Sequence, residues 1–288
     1  MKTQGKFIIS VLLCMTLQTN SFSQNLNNET MTKSKTIVLV HGLFMNPTSW
    51  EPWIKYLEAK GYKCYAPAFP YHEGKPSDLR KDINSLLPKV TISDVIKSYT
   101  SFIDSLPEKP IIIGHSVGGF ITQKLIELDK GVAGICIDAA PPAGINTFKW
   151  SFWKANLPVI NPFKGKSVFV PTLKWYQYAF CNTMTMEETQ VEYDKFVVPE
   201  SRSIPRSMLL DSYGKINFKK PHQPLLFIAG EKDNIIPSSL NMKNFNAYKD
   251  KDSIKEFKEF AGRTHFICGQ KYWEEVADYI NSWVANLK

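Results

Sequence analysis

The sequence predicts an α/β fold: a mostly parallel central sheet, helices on both of its faces, and an inserted helical lid. Three observations carry this. Runs such as Thr36–Val40, Ile111–Ile113 and Leu225–Ala229 are near-continuously apolar, as strands covered on both faces must be. Segments with a helical apolar stripe alternate with them. One stretch, residues 141–221, breaks the alternation and is rich in aromatic residues and proline.

The elements follow in order. Thr36–Val40 is the first strand and stops at His41-Gly42. A helix over Trp53–Lys60 closes at Gly61, and Tyr62–Pro67 is the second strand. Residues 71–90 read as loop. Ser93–Leu106 reads as a helix with Ser93 as N-cap and a stripe of Val95, Ile96, Tyr99, Phe102 and Ile103. Pro107 and Pro110 end it. Strand 111–113 leads through Gly114-His115-Ser116-Val117-Gly118 into a helix over 118–128. Strands follow at Val132–Asp138, Gln223–Ala229 and Ile254–Phe260, and Trp273–Leu287 closes the chain as a helix. The region 141–221 is too long for a simple loop, so it is expected to be a small helical insertion. The core then comprises residues 35–140 and 222–288.

Composition narrows the function classes. The 288 residues are 43% hydrophobic and 22% charged, an ordinary globular balance with length enough for a large core. The formal charge is +8, but Lys and Arg are interspersed with Asp and Glu and form no basic block with interleaved aromatics, which argues against nucleic-acid binding. Residues 1–24 resemble an export signal. Lys2 and Lys6 precede an apolar core over Phe7–Leu17, too short to span a bilayer, and Ser21-Phe22-Ser23 suits cleavage before Gln24. Residues 25–34 read as a linker. The expected location is therefore periplasmic or extracellular. Cys14 offers a lipoprotein alternative, and Met31 a cytoplasmic start. No later segment reads as a membrane span. Cys64, Cys136, Cys181 and Cys268 form no C-x-x-C pair and show no zinc spacing, so they read as free, buried thiols, and no metal is expected.

The chemistry centres on Ser116. Strand, G-x-S-x-G, helix is the context of a nucleophile elbow. The serine sits on a turn so sharp that neighbouring Cβ atoms would collide, and glycines two residues before and after remove them. A serine nucleophile needs a base, and the base an orienting acid. Of five histidines, His265 lies between the last strand and the last helix, at the carboxyl edge of the sheet, where ligands of such sheets bind. Asp233, in the turn after Leu225–Ala229, is the best-placed acid; Glu231 and Asp138 compete. His115, inside the elbow, is expected to point away from the site.

The order Ser116, Asp233, His265 on alternating strand–helix units resembles the α/β-hydrolase superfamily. So do His41-Gly42-Leu43-Phe44 after the first strand, similar to that family's oxyanion loop, and the run Gly230–Pro237, similar to its acid turn. The resemblance covers residues 35–288 outside the lid. It implies Ser116 as nucleophile, His265 as general base and Asp233 as its orienting acid. The backbone N–H groups of Val117 and of Leu43 or Phe44 would form the oxyanion hole. It implies no cofactor, a small-molecule ester and water as partners, and serine esterase or lipase-like activity, with a likeness to plant esterases and hydroxynitrile lyases as well. Serine at the elbow argues against epoxide hydrolases and haloalkane dehalogenases, which carry aspartate there. The lid aromatics Trp150, Trp153, Trp175 and Tyr176, together with His41, are expected to shape an apolar pocket. Hydrolysis of C–C or amide bonds, perhydrolysis, or binding without turnover remain as alternatives to a carboxylic-ester hydrolase.

Overall fold

The computed structural model describes residues 34–287. The export segment 1–24, the linker up to residue 33, Cys14 and Met31 lie outside them. Eight strands form two sheets among the described residues. β1 (Thr36–Val40), β2 (Lys63–Tyr65), β3 (Ile111–His115), β4 (Ala133–Ile137), β7 (Leu225–Gly230) and β8 (Lys255–Phe260) form one sheet, and the two-residue strands β5 (Val168–Phe169) and β6 (Glu200–Ser201) a small antiparallel pair. The main sheet runs β2-β1-β3-β4-β7-β8, with every pairing parallel.

Ten helices accompany them: α1 (Glu51–Glu58), α2 (Pro76–Lys81), α3 (Ile92–Asp104), α4 (Val117–Glu127), α5 (Trp150–Ile160), α6 (Leu173–Ala179), α7 (Met186–Phe196), α8 (Ser203–Leu210), α9 (Ser238–Ala247) and α10 (Glu274–Ala285). α5 to α8 belong to the insertion. No helix among the described residues is long and apolar enough to cross a membrane.

Strand alternation feeds two cores. Val38 and Val40 of β1 join Tyr99 and Phe120 on one face of the sheet; Ile37 and Leu39 join Trp53 and Trp283 on the other. Burying a side chain of this size stabilises by about 1.5–3 kcal/mol, so apolar continuity in the strands is what holds helices to both faces. Among the described residues Cys64, Cys136, Cys181 and Cys268 form no disulfide; Cys136 and Cys181 are buried as expected, whereas Cys64 and Cys268 are only partly so.

Some boundaries differ from the sequence reading. α3 is capped by Thr91 rather than Ser93: the Thr91 hydroxyl accepts from Asp94 N–H, and the Asp94 carboxylate accepts from Thr91 N–H at 2.9 Å. This reciprocal pair satisfies two groups where Ser93, already inside the first turn, would satisfy one. The loop 71–90 contains α2, which starts at Pro76 with the proline in the first helical turn. The insertion carries the β5–β6 pair, too short to leave a pattern in the sequence.

One topological fact positions the site. From β1 the chain moves outward to β2, and from β3 it moves the other way, toward β8. The carboxyl ends of β1 and β3 thus flank a switch point, where open parallel sheets leave a crevice.

Candidate active site

Ser116 sits at the end of β3 with φ 57° and ψ −120°, a conformation an L-residue adopts only under constraint. The glycines of the elbow allow it. A Cβ on Gly114 would lie 2.1 Å from the Gly118 carbonyl oxygen, and one on Gly118 would lie 2.1 Å from that of Val40. Any side chain there would push β3, α4 and β1 apart. Ser116 is 6% exposed and lines a cleft of about 140 Å³. The N–H of Val117 is the first of α4 and has no intrahelical acceptor. Leu43 and Phe44 face the same cleft from the end of β1. Phe44 adopts φ 67°, and its carbonyl accepts from Val198 N–H of the insertion at 2.9 Å.

β7 and β8 supply the partners. Asp233 follows β7, and its Oδ1 accepts from the N–H groups of Ile235 and Ile236, both at 2.8 Å. Its Oδ2 lies 2.6 Å from Nδ1 of His265, and both side chains are fully buried. Burial lowers His265 to about 3, so the imidazole is neutral at rest. With Nδ1 bonded to the carboxylate, the lone pair is on Nε2, which is buried and has no partner among the described residues. No hydrogen bond joins Nε2 to Ser116 Oγ among the described residues. The neighbours connect them: a Cβ on Gly42 would lie 2.9 Å from the Ser116 Cβ and 3.2 Å from His115 Nδ1, and the His115 ring is centred 4.6 Å from that of His265. Catalytic hydrogen bonds commonly tighten only when substrate arrives.

Asp138 stands behind this pair, at the end of β4. Its Oδ1 accepts from Gly230 N–H at 2.7 Å, and its Oδ2 is buried without a partner. Burial raises the pKa of Asp138 well above the usual carboxylate range, and the neighbouring Asp233 raises it further. Burial also raises Asp233 well above the usual range, against the opposing Ile236 and Ile235 N–H groups and Asp138; with Oδ1 accepting two N–H groups and Oδ2 facing His265, Asp233 is the better placed of the two acids to carry a charge. Glu231 is exposed and bonded to Lys232 and Gly262 N–H, away from His265. His115 lies under His265 rather than remote from it: its Nε2 is 2.8 Å from the His265 carbonyl oxygen. His115, Asp138 and His265 present ligand atoms within 4.8 Å of one another, the spacing a metal would need. His265 Nδ1 and Asp138 Oδ1 are already committed to hydrogen bonds.

The cleft lining differs from the expected pocket. Trp153 lines it, with Phe152, Val159, Met208, Ile235 and Ile236. His41 is buried beneath, where its Nε2 accepts from Phe69 N–H at 3.0 Å. Burial, and after it the neighbouring His72, lowers His41 to about 3. Trp150 points outward and is 72% exposed. Trp175 packs edge-on against Phe44 and Phe169 and donates its indole N–H to Ala155. Tyr176 stacks on Phe180 and is fully buried. These three aromatics build the insertion rather than its inner wall. Phe180 itself both lines the cleft and stands edge-on to His265, ring centres 4.7 Å apart. The cleft-facing side chains carry no formal charge; Asn146, Asn156 and Ser116 are the polar ones. The Asn156 amide donates to the Phe152 and Ile235 carbonyls.

A profile of the Alpha/beta hydrolase family matches residues 37–279, and the chain belongs to that family. No curated protein sequence matches it. Solved structures share the fold at low identity. A monoacylglycerol lipase of Paleococcus ferrophilus is 21% identical, with a TM-score of 0.59 over 88% of this chain and 95% of that one. A methylesterase from Arabidopsis is 15% identical, with a TM-score of 0.62 over 86% and 98%. A pyrethroid hydrolase from Sphingobium faniae is 18% identical, with a TM-score of 0.61 over 87% and 97%.

Proposed function

We propose that this member of the Alpha/beta hydrolase family is a carboxylic-ester hydrolase that works through an acyl-enzyme on Ser116. The observation that carries the reading is the strained Ser116 at the floor of an uncharged apolar cleft, with the neutral His265 held by Asp233 at 2.6 Å. A short or medium acyl ester fits that lining, a monoacylglycerol or lysophospholipid among them. The lipase and methylesterase with the same fold are consistent with such a substrate.

The steps follow from the placement. Ser116 Oγ attacks the ester carbonyl carbon while His265 Nε2 takes its proton. Asp233 stabilises the resulting imidazolium through Nδ1. The carbonyl oxygen, now negative, accepts from Val117 N–H and from Leu43 or Phe44 N–H; one such donor is typically worth about two to three orders of magnitude in turnover. Collapse breaks the ester C–O bond, and His265 returns the proton to the leaving alcohol. Water then repeats the sequence, frees the acid and restores Ser116. The insertion acts as a lid over this chemistry. The basic-then-apolar chain start supports export after cleavage near Ser23, which N-terminal sequencing of the mature protein would test.

Turnover of p-nitrophenyl esters across acyl lengths tests the proposal. Ser116→Ala is expected to lower kcat/KM by at least about 10⁴-fold and to abolish labelling by a fluorophosphonate. No turnover at any chain length by a folded protein would overturn the esterase reading. Labelling that survives Ser116→Ala would overturn the choice of nucleophile.

A further inference from the structure

The outer surface of the insertion carries large apolar side chains in water. Phe148 is 97% exposed, Phe163 95%, Leu210 87% and Trp150 72%. Single exposed apolar residues need no explanation; these fall on one tied body beside the cleft mouth. α5 is apolar on two sides: Phe152, Trp153 and Val159 line the cleft, while Trp150, Lys154 and Leu157 share a separate exposed face at i, i+4 and i+7. The Arg206 side chain bonds the carbonyls of Asn161 and Gly165, and Arg202 those of Pro158 and Val159, so α8 and the turn bearing Phe163 are fastened to the end of α5.

The charge of this segment is one-signed. From Ala139 to Met186 the sequence has five lysines, at 149, 154, 164, 166 and 174, and no aspartate or glutamate. All five are exposed. None lies within 4.0 Å of a carboxylate among the described residues. The acid beside Leu210, Asp211, is turned to its own loop, where it accepts from Tyr213 N–H.

We propose that this face, residues 145–166 with the end of α8, docks on a bilayer containing anionic lipid. Exposed aromatics that seat at the headgroup level and flanking lysines that meet anionic headgroups are the two contributions interfacial binding combines. The surface is continuous with the proposed active site: Leu210 faces water, the adjacent Leu209 and Met208 line the cleft, and Ser116 lies at its floor. An ester dissolved in the bilayer reaches Ser116 without crossing water. The docking surface is independent of the proposed ester chemistry, since its test reads binding and not turnover.

The experiment is flotation of the full-length protein with vesicles of phosphatidylcholine alone or mixed with phosphatidylglycerol. The protein is expected to float with the mixed vesicles, less so as salt rises. Lys164→Glu with Lys166→Glu, and separately Phe148→Ser with Phe163→Ser, are each expected to lower partitioning about tenfold or more. Neither pair is expected to change thermal unfolding, because all four side chains are exposed. Amide exchange is expected to slow within 145–166 when mixed vesicles are added. Unchanged flotation of both pairs, unchanged exchange in 145–166, or no flotation of the wild type overturns the proposal. So does a dimer that the phenylalanine pair abolishes while vesicles go unbound, which would assign the face to a second copy of the chain.

Discussion

His265 Nδ1 and Asp233 Oδ2 stand 2.6 Å apart with both side chains wholly removed from solvent, and Asp138, whose pKa burial pushes up, sits behind them. The two acids have different work. Asp233 faces His265 and is proposed to balance an imidazolium, whereas Asp138 accepts from Gly230 N–H behind it and makes no hydrogen bond to His265 among the described residues.

Substitution separates those roles. Asp233→Asn is expected to lower kcat/KM for a p-nitrophenyl ester by about 10⁴-fold, because the amide holds the wrong imidazole tautomer. Asp138→Asn keeps an oxygen that accepts from Gly230 N–H and is expected to cost less than about tenfold. The reverse ranking would make Asp138 the orienting acid.

Acid should destabilise the protein. His41 and His265 are lowered to about 3, and His115 is lowered as well, in each case chiefly by burial. Each is neutral when folded and protonated when unfolded at pH values between the folded and unfolded constants. The stability they contribute is therefore present above pH of about 6.5 and falls as pH drops toward 3, by up to about 1.4 kcal/mol per histidine per pH unit. Asp138 and Asp233, both raised by burial, and His72, raised by Glu200, work in the opposite sense, so the fall is smaller than the three lowered histidines alone would give. Urea midpoints between pH 7 and 4 check this; a midpoint constant over that range would contradict it.

The insertion is locked to the core by a buried ion pair. His72 Nε2 lies 3.2 Å from Glu200 Oε2, with both side chains at most 1% exposed. Burial alone would lower His72, but the Glu200 carboxylate outweighs it and the net shift is upward. Its contribution is thus full below the ordinary histidine range and is lost as pH rises through the raised value. Glu200→Ala leaves a buried imidazolium unpaired and is expected to cost about 3–5 kcal/mol in urea unfolding. A loss below 1 kcal/mol, on the order of a surface pair, would contradict it.

The elbow tolerates no added methyl group. Gly118→Ala places a carbon 2.1 Å from the Val40 carbonyl oxygen, which is backbone and has no rotamer to yield. The expected cost is about 1–3 kcal/mol or more, read as a lower melting temperature together with a fall in turnover greater than the fall in folded fraction.

Much of this was legible in the sequence because chemistry and chain geometry coincide there. Ser116 needs glycines at fixed offsets, Asp233 follows the apolar strand β7 and His265 follows the alternating edge strand β8, so position along the chain implied position at the carboxyl edge of the sheet. The cap of α3 was misread because Thr91 and Ser93 both suit the role, and only the answering carboxylate of Asp94 decides between them. α9 left little trace, since it buries Asn241 and Asn244 as well as Leu240 and so lacks a clean apolar stripe. The aromatic residues of the insertion were the hardest to read. Trp175 packs against Phe169 of the insertion and Phe44 of the core, Tyr176 buries its ring against Phe180 and Trp150 faces solvent, while the aliphatic Ile235, Ile236 and Val159, which look like ordinary core, line the cleft. The meeting of Asp138 with Asp233 depends on β4 lying beside β7, a neighbour relation that nothing local encodes.

The single bond from Val198 N–H to the Phe44 carbonyl ties the segment after α7 to the loop that follows β1. Swinging that part of the insertion outward would therefore drag on the loop whose amides are proposed to cradle a developing negative charge. Widening the entrance on the α7 side would disarm the catalyst, so traffic of reactant and product is better served from the opposite flank, past α5 and α8, where no such tether to Leu43 or Phe44 exists among the described residues.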